Sequence, residues 1–126
     1  MEFAMRNFSD KSIAVETVLF CIPLKKDCFS QYELFAKETV KRSVEYSDML
    51  KRYDIHYAKV WHKKINNRDY VFVYHEVGSN FREKMKGWDT SSHPFDKWFC
   101  DNMMKVYDIE NAAGMEEPKM LVDFKI

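Results

Sequence analysis

Histidines and aromatic rings crowd one stretch of this chain, and their spacing decides what chemistry they could share. Between Tyr53 and Val77 lie His56, His62 and His75, three of the four histidines, together with Tyr57, Trp61, Tyr70, Phe72 and Tyr74. Imidazoles can hold a transition metal or move protons near neutral pH. Phenol and indole rings can stack on a sugar or planar ligand while a hydroxyl fixes its polar edge. Tyr57, Trp61, Tyr70 and Tyr74, flanked by Lys59 and Glu76, form the strongest substrate-binding set, with Tyr57 and Tyr74 as candidate proton-moving phenols. The plainer reading is an aromatic dimer interface, and the two are compatible.

Which of these groups can meet depends on the elements that carry them. The stretch alternates in type, and Asn66-Asn67 supplies a two-residue turn, so it reads as a β-hairpin in which Ile65 faces Arg68, Val60 faces Val73 and Ala58 faces His75. His56, Ala58, Val60, His62, Val71, Val73, His75 and Val77 then share one face. Tyr57, Lys59, Trp61, Lys63, Tyr70, Phe72, Tyr74 and Glu76 share the other. Both faces are largely apolar, so both should be covered. His62 lies about 20 Å along the strand from His56 at roughly 3.3 Å per residue, so the three imidazoles cannot share one ion. With no Cys or carboxylate at ligand spacing on that face, no metal and no cofactor are expected.

A second polar group, Asp89, Ser91, Ser92, His93 and Asp96, precedes a helical stretch. His93 at a helix start could act as a general base or orient a substrate. The plainer reading has Ser92 and Asp96 capping the helix, with Pro94 in its first turn. Cys100 before Asp101 reads as a structural thiol, and Cys21 sits in an apolar run that suits a small buried side chain. The pairs Lys25-Lys26 and Lys63-Lys64 are short and isolated. No glycine-rich phosphate loop, nucleophile elbow or HExxH element occurs.

Composition narrows the class. The 126 residues suit one domain, with residues 1–12 as a loose extension and 13–126 as the folded unit. Twenty basic residues balance twenty acidic ones, which gives no overall field for nucleic acid or an anionic membrane. No apolar run approaches the roughly 20 residues that span a bilayer, and no signal-peptide core is visible. Three cysteines without CxxC spacing point to a reducing, cytoplasmic setting. Ten Phe, seven Tyr, three Trp and eight Met are enough to line a pocket or an interface as well as a core.

Around the hairpin, Ala14 to Ile22 reads as a strand stopped by Pro23. From Asp27 to about Arg52 no Gly or Pro interrupts a stripe of Phe29, Tyr32, Ala36, Val40, Ser43 and Leu50, which predicts one long helix. A short helix ending near Gly87 follows the hairpin. A last helix carries Phe95, Trp98, Phe99, Met103 and Val106 on one face, and 111–118 is a connector. Met120, Val122, Phe124 and Ile126 alternate with Leu121, Asp123 and Lys125, which predicts a fourth strand. The order β-α-β-β-α-β is the ferredoxin-like α+β arrangement, with helices on one sheet face. Val60 and Val73 are expected under those helices and the aromatic face open, covered by a second copy to make a dimeric α+β barrel.

The same order, with Gln31-Tyr32 in the first helix, Tyr57 and Trp61, then Tyr70, Phe72 and Tyr74, and Lys97-Trp98-Phe99 in the last helix, resembles the L-rhamnose mutarotase family over about residues 15–107. The position matching that family's first-helix histidine holds Ala36. The segment from Arg68-Asp69-Tyr70 to Ser92-His93-Pro94-Phe95-Asp96 is similar, more closely, to a bacterial family of the same superfamily that carries a Ser-x-His-Pro-x-Asp element and has no assigned activity. The resemblance implies that Tyr32 and Trp98 join Tyr57, Trp61, Tyr70 and Tyr74 in binding a substrate, with His93, Tyr57 and Tyr74 as catalytic candidates. The expectation is a homodimeric small-molecule-binding barrel, in catalytic form a cofactor-independent isomerase or mutarotase-like enzyme. The alternative is a noncatalytic homodimer.

Overall fold

The computed structural model describes residues 16–111 and 116–126. Residues 1–12 and the start of the first expected strand, Ala14 and Val15, lie outside the described residues. Three strands, β1 (Glu16–Pro23), β2 (Ile55–Ile65) and β3 (Arg68–Val77), form an antiparallel sheet in the order β1-β3-β2. Helices α1 (Phe29–Lys41), α2 (Ser43–Arg52), α3 (Phe81–Met85) and α4 (Pro94–Val106) complete a mixed α+β fold.

The hairpin has the register its alternation predicts, with Ile65 opposite Arg68, Val60 opposite Val73 and Ala58 opposite His75. Asn66 and Asn67 both take left-handed backbone conformations, with φ of 49° and 67°, the twist that a two-residue hairpin turn requires and asparagine tolerates. At its far end a bulge interrupts the ladder between Ile55 and Tyr57, so Ile55 rather than His56 stands opposite Val77.

The helices cover the face carrying Val18, Ile22, Val71 and Val77, all at most 2% exposed. One cluster gathers Met49, Tyr53, Phe81 and Phe95 around Val18 and Val77, and the other gathers Tyr32, Phe35, Val106 and Tyr107 around Ile22 and Val71. Phe20, Trp98 and Phe99 pack against both. Cover does not extend along all of β2. Val60 is 46% exposed, which corrects its expected place under the helices, because it lies on an outer strand.

The expected long helix is two. Arg42, with φ −90° and ψ 44°, separates α1 from α2. Thr39 bonds back to the Phe35 carbonyl at 2.9 Å, a contact that bends helices, and the Arg42 guanidinium lies 4.3 Å from the Trp98 ring centroid. The break turns Met49 and Tyr53 into the core, while Val40, placed in the apolar stripe from sequence, is 72% exposed. Cys21 also departs from expectation, lying exposed on the outer sheet face opposite Phe72.

The fourth strand is a further difference. Residues 116–126 carry no assigned strand, and Met120, Leu121, Val122, Phe124 and Ile126 are all exposed. After α4 the chain does reach β1: Tyr107 bridges Leu24, and the Asp108 amide donates to the Pro23 carbonyl at 2.8 Å.

One junction is tight enough to test. Gly78 closes β3, and its amide donates to the Asp54 carbonyl at 2.9 Å. A Cβ on Gly78 would collide with the Asp54 carboxylate, which is held by the Asn80 amide at 3.0 Å and His56 Nε2 at 2.9 Å. Gly78→Ala should therefore cost about 1–3 kcal/mol, read as a lower urea midpoint with an unchanged slope. An unaltered midpoint would show that the Asp54 side chain moves away freely.

Candidate functional site

The two sides of the sheet carry different chemistry. On the outer side, Tyr57, Lys59, Trp61, Phe72 and Tyr74 form a patch with Leu19 and Cys21 of β1. Tyr74 meets Tyr57 and Trp61 edge to face, with centroids 6.4 and 6.5 Å apart. Lys59 Nζ lies 4.9 Å from the Tyr57 ring centroid and 5.9 Å from that of Tyr74. The Tyr74 hydroxyl donates to Glu76 Oε2 at 2.7 Å, and that bond to a carboxylate raises the phenol's pKa. Tyr57 and Trp61 are 46% and 51% exposed. This face is an open aromatic surface.

Between the sheet and the helices lies a cavity of about 140 Å³. Its walls are nearly all carbon, from Phe20 and Val73 of the sheet, Phe35 of α1, Met49 of α2, and Phe99 and Met103 of α4. Val60, the one lining residue that is exposed, marks an opening beside β2. The lining residues that carry hydrogen-bonding side-chain groups are Tyr32, Tyr46, Tyr53, His75, Trp88 and Tyr107. Tyr32 and Tyr107 approach hydroxyl to hydroxyl at 3.4 Å. Burial raises the pKa of both, and it pushes Tyr46 up to about 12, assisted by Tyr32. Each phenol therefore keeps its proton at neutral pH and can donate a hydrogen bond.

His75 is the exceptional wall residue. Burial lowers its pKa to about 4, so the ring is neutral at physiological pH. Its Nδ1 is buried and has no hydrogen-bond partner among the described residues. An unpaired buried nitrogen costs about 1–3 kcal/mol.

The candidate residues read from sequence thus fall into three places. Tyr57, Trp61, Tyr70 and Tyr74 lie on the outer face, with the Arg68 guanidinium 6.0 Å from the Tyr70 ring centroid. Tyr32 lines the cavity on the other side of the sheet. Trp98 is half-buried among Phe35, Phe95 and Phe99. His93 is the N-cap of α4, in the position expected of Ser92, and its Nε2 is 3.8 Å from Asp48 Oδ2 of α2. That contact keeps His93 in the helical layer, away from Tyr57 and Tyr74.

The polar cluster around His93 is a structural tie. Asp96 is 0% exposed and accepts from Arg52 at 2.7 and 2.8 Å, the Tyr53 hydroxyl at 2.7 Å and Ser91 Oγ at 2.8 Å. Burial alone would raise the pKa of this carboxyl, but the bonds from Arg52, Tyr53 and Ser91 outweigh it and hold the value at about 2. With every strong acceptor site taken, Asp96 joins α2 to α4.

The remaining histidines are also engaged. His56 Nε2 pairs with Asp54 at 2.9 Å, while its Nδ1, like that of His75, is buried without a hydrogen-bond partner among the described residues; His62 Nε2 pairs with Asp69 at 2.7 Å and its ring stacks on Phe29 at 3.8 Å. Among the described residues no three His, Cys, Asp or Glu side chains converge as a metal site. Burial, with Asp101 and Asp89 nearby, raises the Cys100 pKa and keeps the thiol protonated. No helix of the described residues is long and apolar enough to cross a membrane.

Sequence reasoning missed the cavity because its walls come from residues assigned to ordinary core. The available signal was Tyr46, Met49, Leu50 and Tyr53, an i, i+3, i+4, i+7 stripe of large, adaptable side chains. No protein-family profile matches the chain, and none of the curated proteins or solved structures does either.

Proposed function

We propose that this protein binds a small, uncharged, largely apolar molecule in the cavity between its sheet and its helices. The observation that carries this reading is the almost wholly apolar space of about 140 Å³ itself, which has the neutral imidazole of His75 among its lining residues. An apolar cavity of roughly 150 Å³ in another protein stays dry and takes up benzene, so this volume suits a single ring. The neutral imidazole and protonated phenols offer hydrogen bonds but no fixed charge. An anionic ligand would lose its hydration without a counter-ion.

The outer face supports a companion reading, that of a homodimer with ferredoxin-like sheets of the kind seen in dimeric α+β barrels, as the resemblance to the mutarotase family implies. The order β1-β3-β2 leaves the flank of β1 for a fourth strand, and the exposed Tyr57, Trp61 and Leu19 favour a covering copy.

Titration of the 15N-labelled chain with benzene, phenol and benzoate tests the ligand reading. Benzene and phenol should move the amide signals of Phe35, Val73 and His75 saturably, and benzoate should not. Shifts confined to Tyr57, Trp61 and Tyr74 would place binding on the outer face instead and overturn the proposal.

A further inference from the structure

The C-terminal segment 119–126 has the pattern of a strand and the exposure of an element without a seat. Met120, Val122, Phe124 and Ile126 are 58%, 79%, 82% and 117% exposed, although they alternate with Asp123 and Lys125 as one apolar side of a strand. Its root is pinned: Arg82 of α3 holds Glu117 at 2.6 Å and Glu16, the first residue of β1, at 2.9 Å. From there, Met120 and Val122 border an open depression on the outer face with Thr17, Leu19 and Tyr74.

Two surfaces therefore lack a partner. Among the described residues the flank of β1 away from β3 pairs with no strand; only its Pro23 end is met, by the Asp108 amide on the Pro23 carbonyl and the bridge from Tyr107 to Leu24. The aromatic outer face is uncovered. Folding the segment onto its own β1 would satisfy the edge but leave Tyr57 and Trp61, two strands and about 10 Å away, in water. Three strands about 4.8 Å apart and roughly 26 to 36 Å long give stacked faces a footprint of roughly 450 Å². Stable interfaces bury about 800 Å² of accessible surface per partner, so an element that crosses between the copies adds to what the stacked faces bury. The eight residues of the segment span about 26 Å, the length of the eight-residue β1.

We propose that residues 119–126 cross to a second copy of this chain and pair with the free edge of the partner's β1 as the two outer faces come together. The inference rests on the homodimer reading above and adds the element that makes the dimer stable. A segment that runs from the start of β1 along the outer face is well placed for the exchange, because stacked sheets lie only about 10 Å apart.

Sedimentation of three proteins tests it: the full chain, a chain ending at Pro118, and the full chain with Val122→Lys and Phe124→Lys. The double variant guards against misfolding of the shortened chain, since both side chains are exposed in the single copy. The full chain should be dimeric at micromolar concentration, and both altered proteins should dissociate at least 100-fold more readily. A monomeric full chain would overturn the homodimer reading and the exchange together. Altered proteins that remain as dimeric as the full chain would overturn the exchange alone. Isotope-filtered contacts between Phe124 of a labelled chain and β1 of an unlabelled one complete the test; contacts found only within one chain would also overturn it.

Discussion

Asp96→Asn should lower the melting temperature at pH 7 by roughly 10 °C, the largest effect expected of any isosteric change in this protein. Asp96 is fully buried and takes four donor contacts, from Arg52 Nη1 and Nη2, Tyr53 and Ser91. An amide in its place removes the charge that balances Arg52 and turns one acceptor into a donor facing donors. Breaking a buried pair from one side costs about 3–5 kcal/mol. Arg52 keeps its bond to Asp48 at 3.0 Å and is 30% exposed, so the lower part of that range applies, about 3 kcal/mol. At this chain length each kcal/mol moves the melting temperature by about 3–6 °C. The same residue sets an acid limit. Its folded pKa of about 2 lies below the 3.8 of an unfolded chain, so its stabilisation is complete above 3.8 and is lost as pH falls toward 2. Melting curves from pH 7 to pH 2 should show this loss in the wild type and not in Asp96→Asn. A variant that melts like the wild type at pH 7 would mean that α2 and α4 are held together by apolar packing alone.

Val71→Asp should abolish folding, whereas Val60→Asp should cost no more than about 1 kcal/mol. Both valines point to the helical side of the sheet and a pattern-based reading treats them alike. The structure separates them: Val71 is 0% exposed on the central strand, and Val60 is 46% exposed on an outer one. A carboxylate at Val71 would have neither water nor a cation, and its desolvation would exceed the stability of about 5–15 kcal/mol typical of a domain. At Val60 the carboxylate can reach solvent. Circular dichroism of the two variants decides the matter. Equal unfolding of both would show that β2 is covered along its whole length.

The hairpin was legible because its signals are local. Alternation, an Asn-Asn turn and cross-strand register are encoded within two dozen residues, and each follows from backbone geometry. The break at Arg42 was not, because no Gly or Pro marks it. It follows from a hydroxyl bonding back along the helix and an arginine drawn to Trp98, and the second of these depends on a helix more than fifty residues away. Asp96 was visible as part of a polar cluster, but its role depended on Arg52 and Tyr53, which only tertiary structure brings to it. The candidate site was hardest to read, since alternation shows that a sheet has two apolar faces and not which face conceals a space. Of the substrate-binding residues expected from sequence, Tyr32 alone lines the cavity. His75 was noted as a possible ligand to metal, and its state as a neutral imidazole with no partner at Nδ1 emerges only from burial.

The central claim is tested most directly by calorimetric titration of benzene into the wild type and into Val73→Phe, whose added ring would occupy the cavity that Val73 lines. The wild type should bind one benzene saturably, and Val73→Phe, still folded, should bind none. Absence of binding to the wild type, or equal binding to both proteins, would contradict a ligand site between the sheet and the helices.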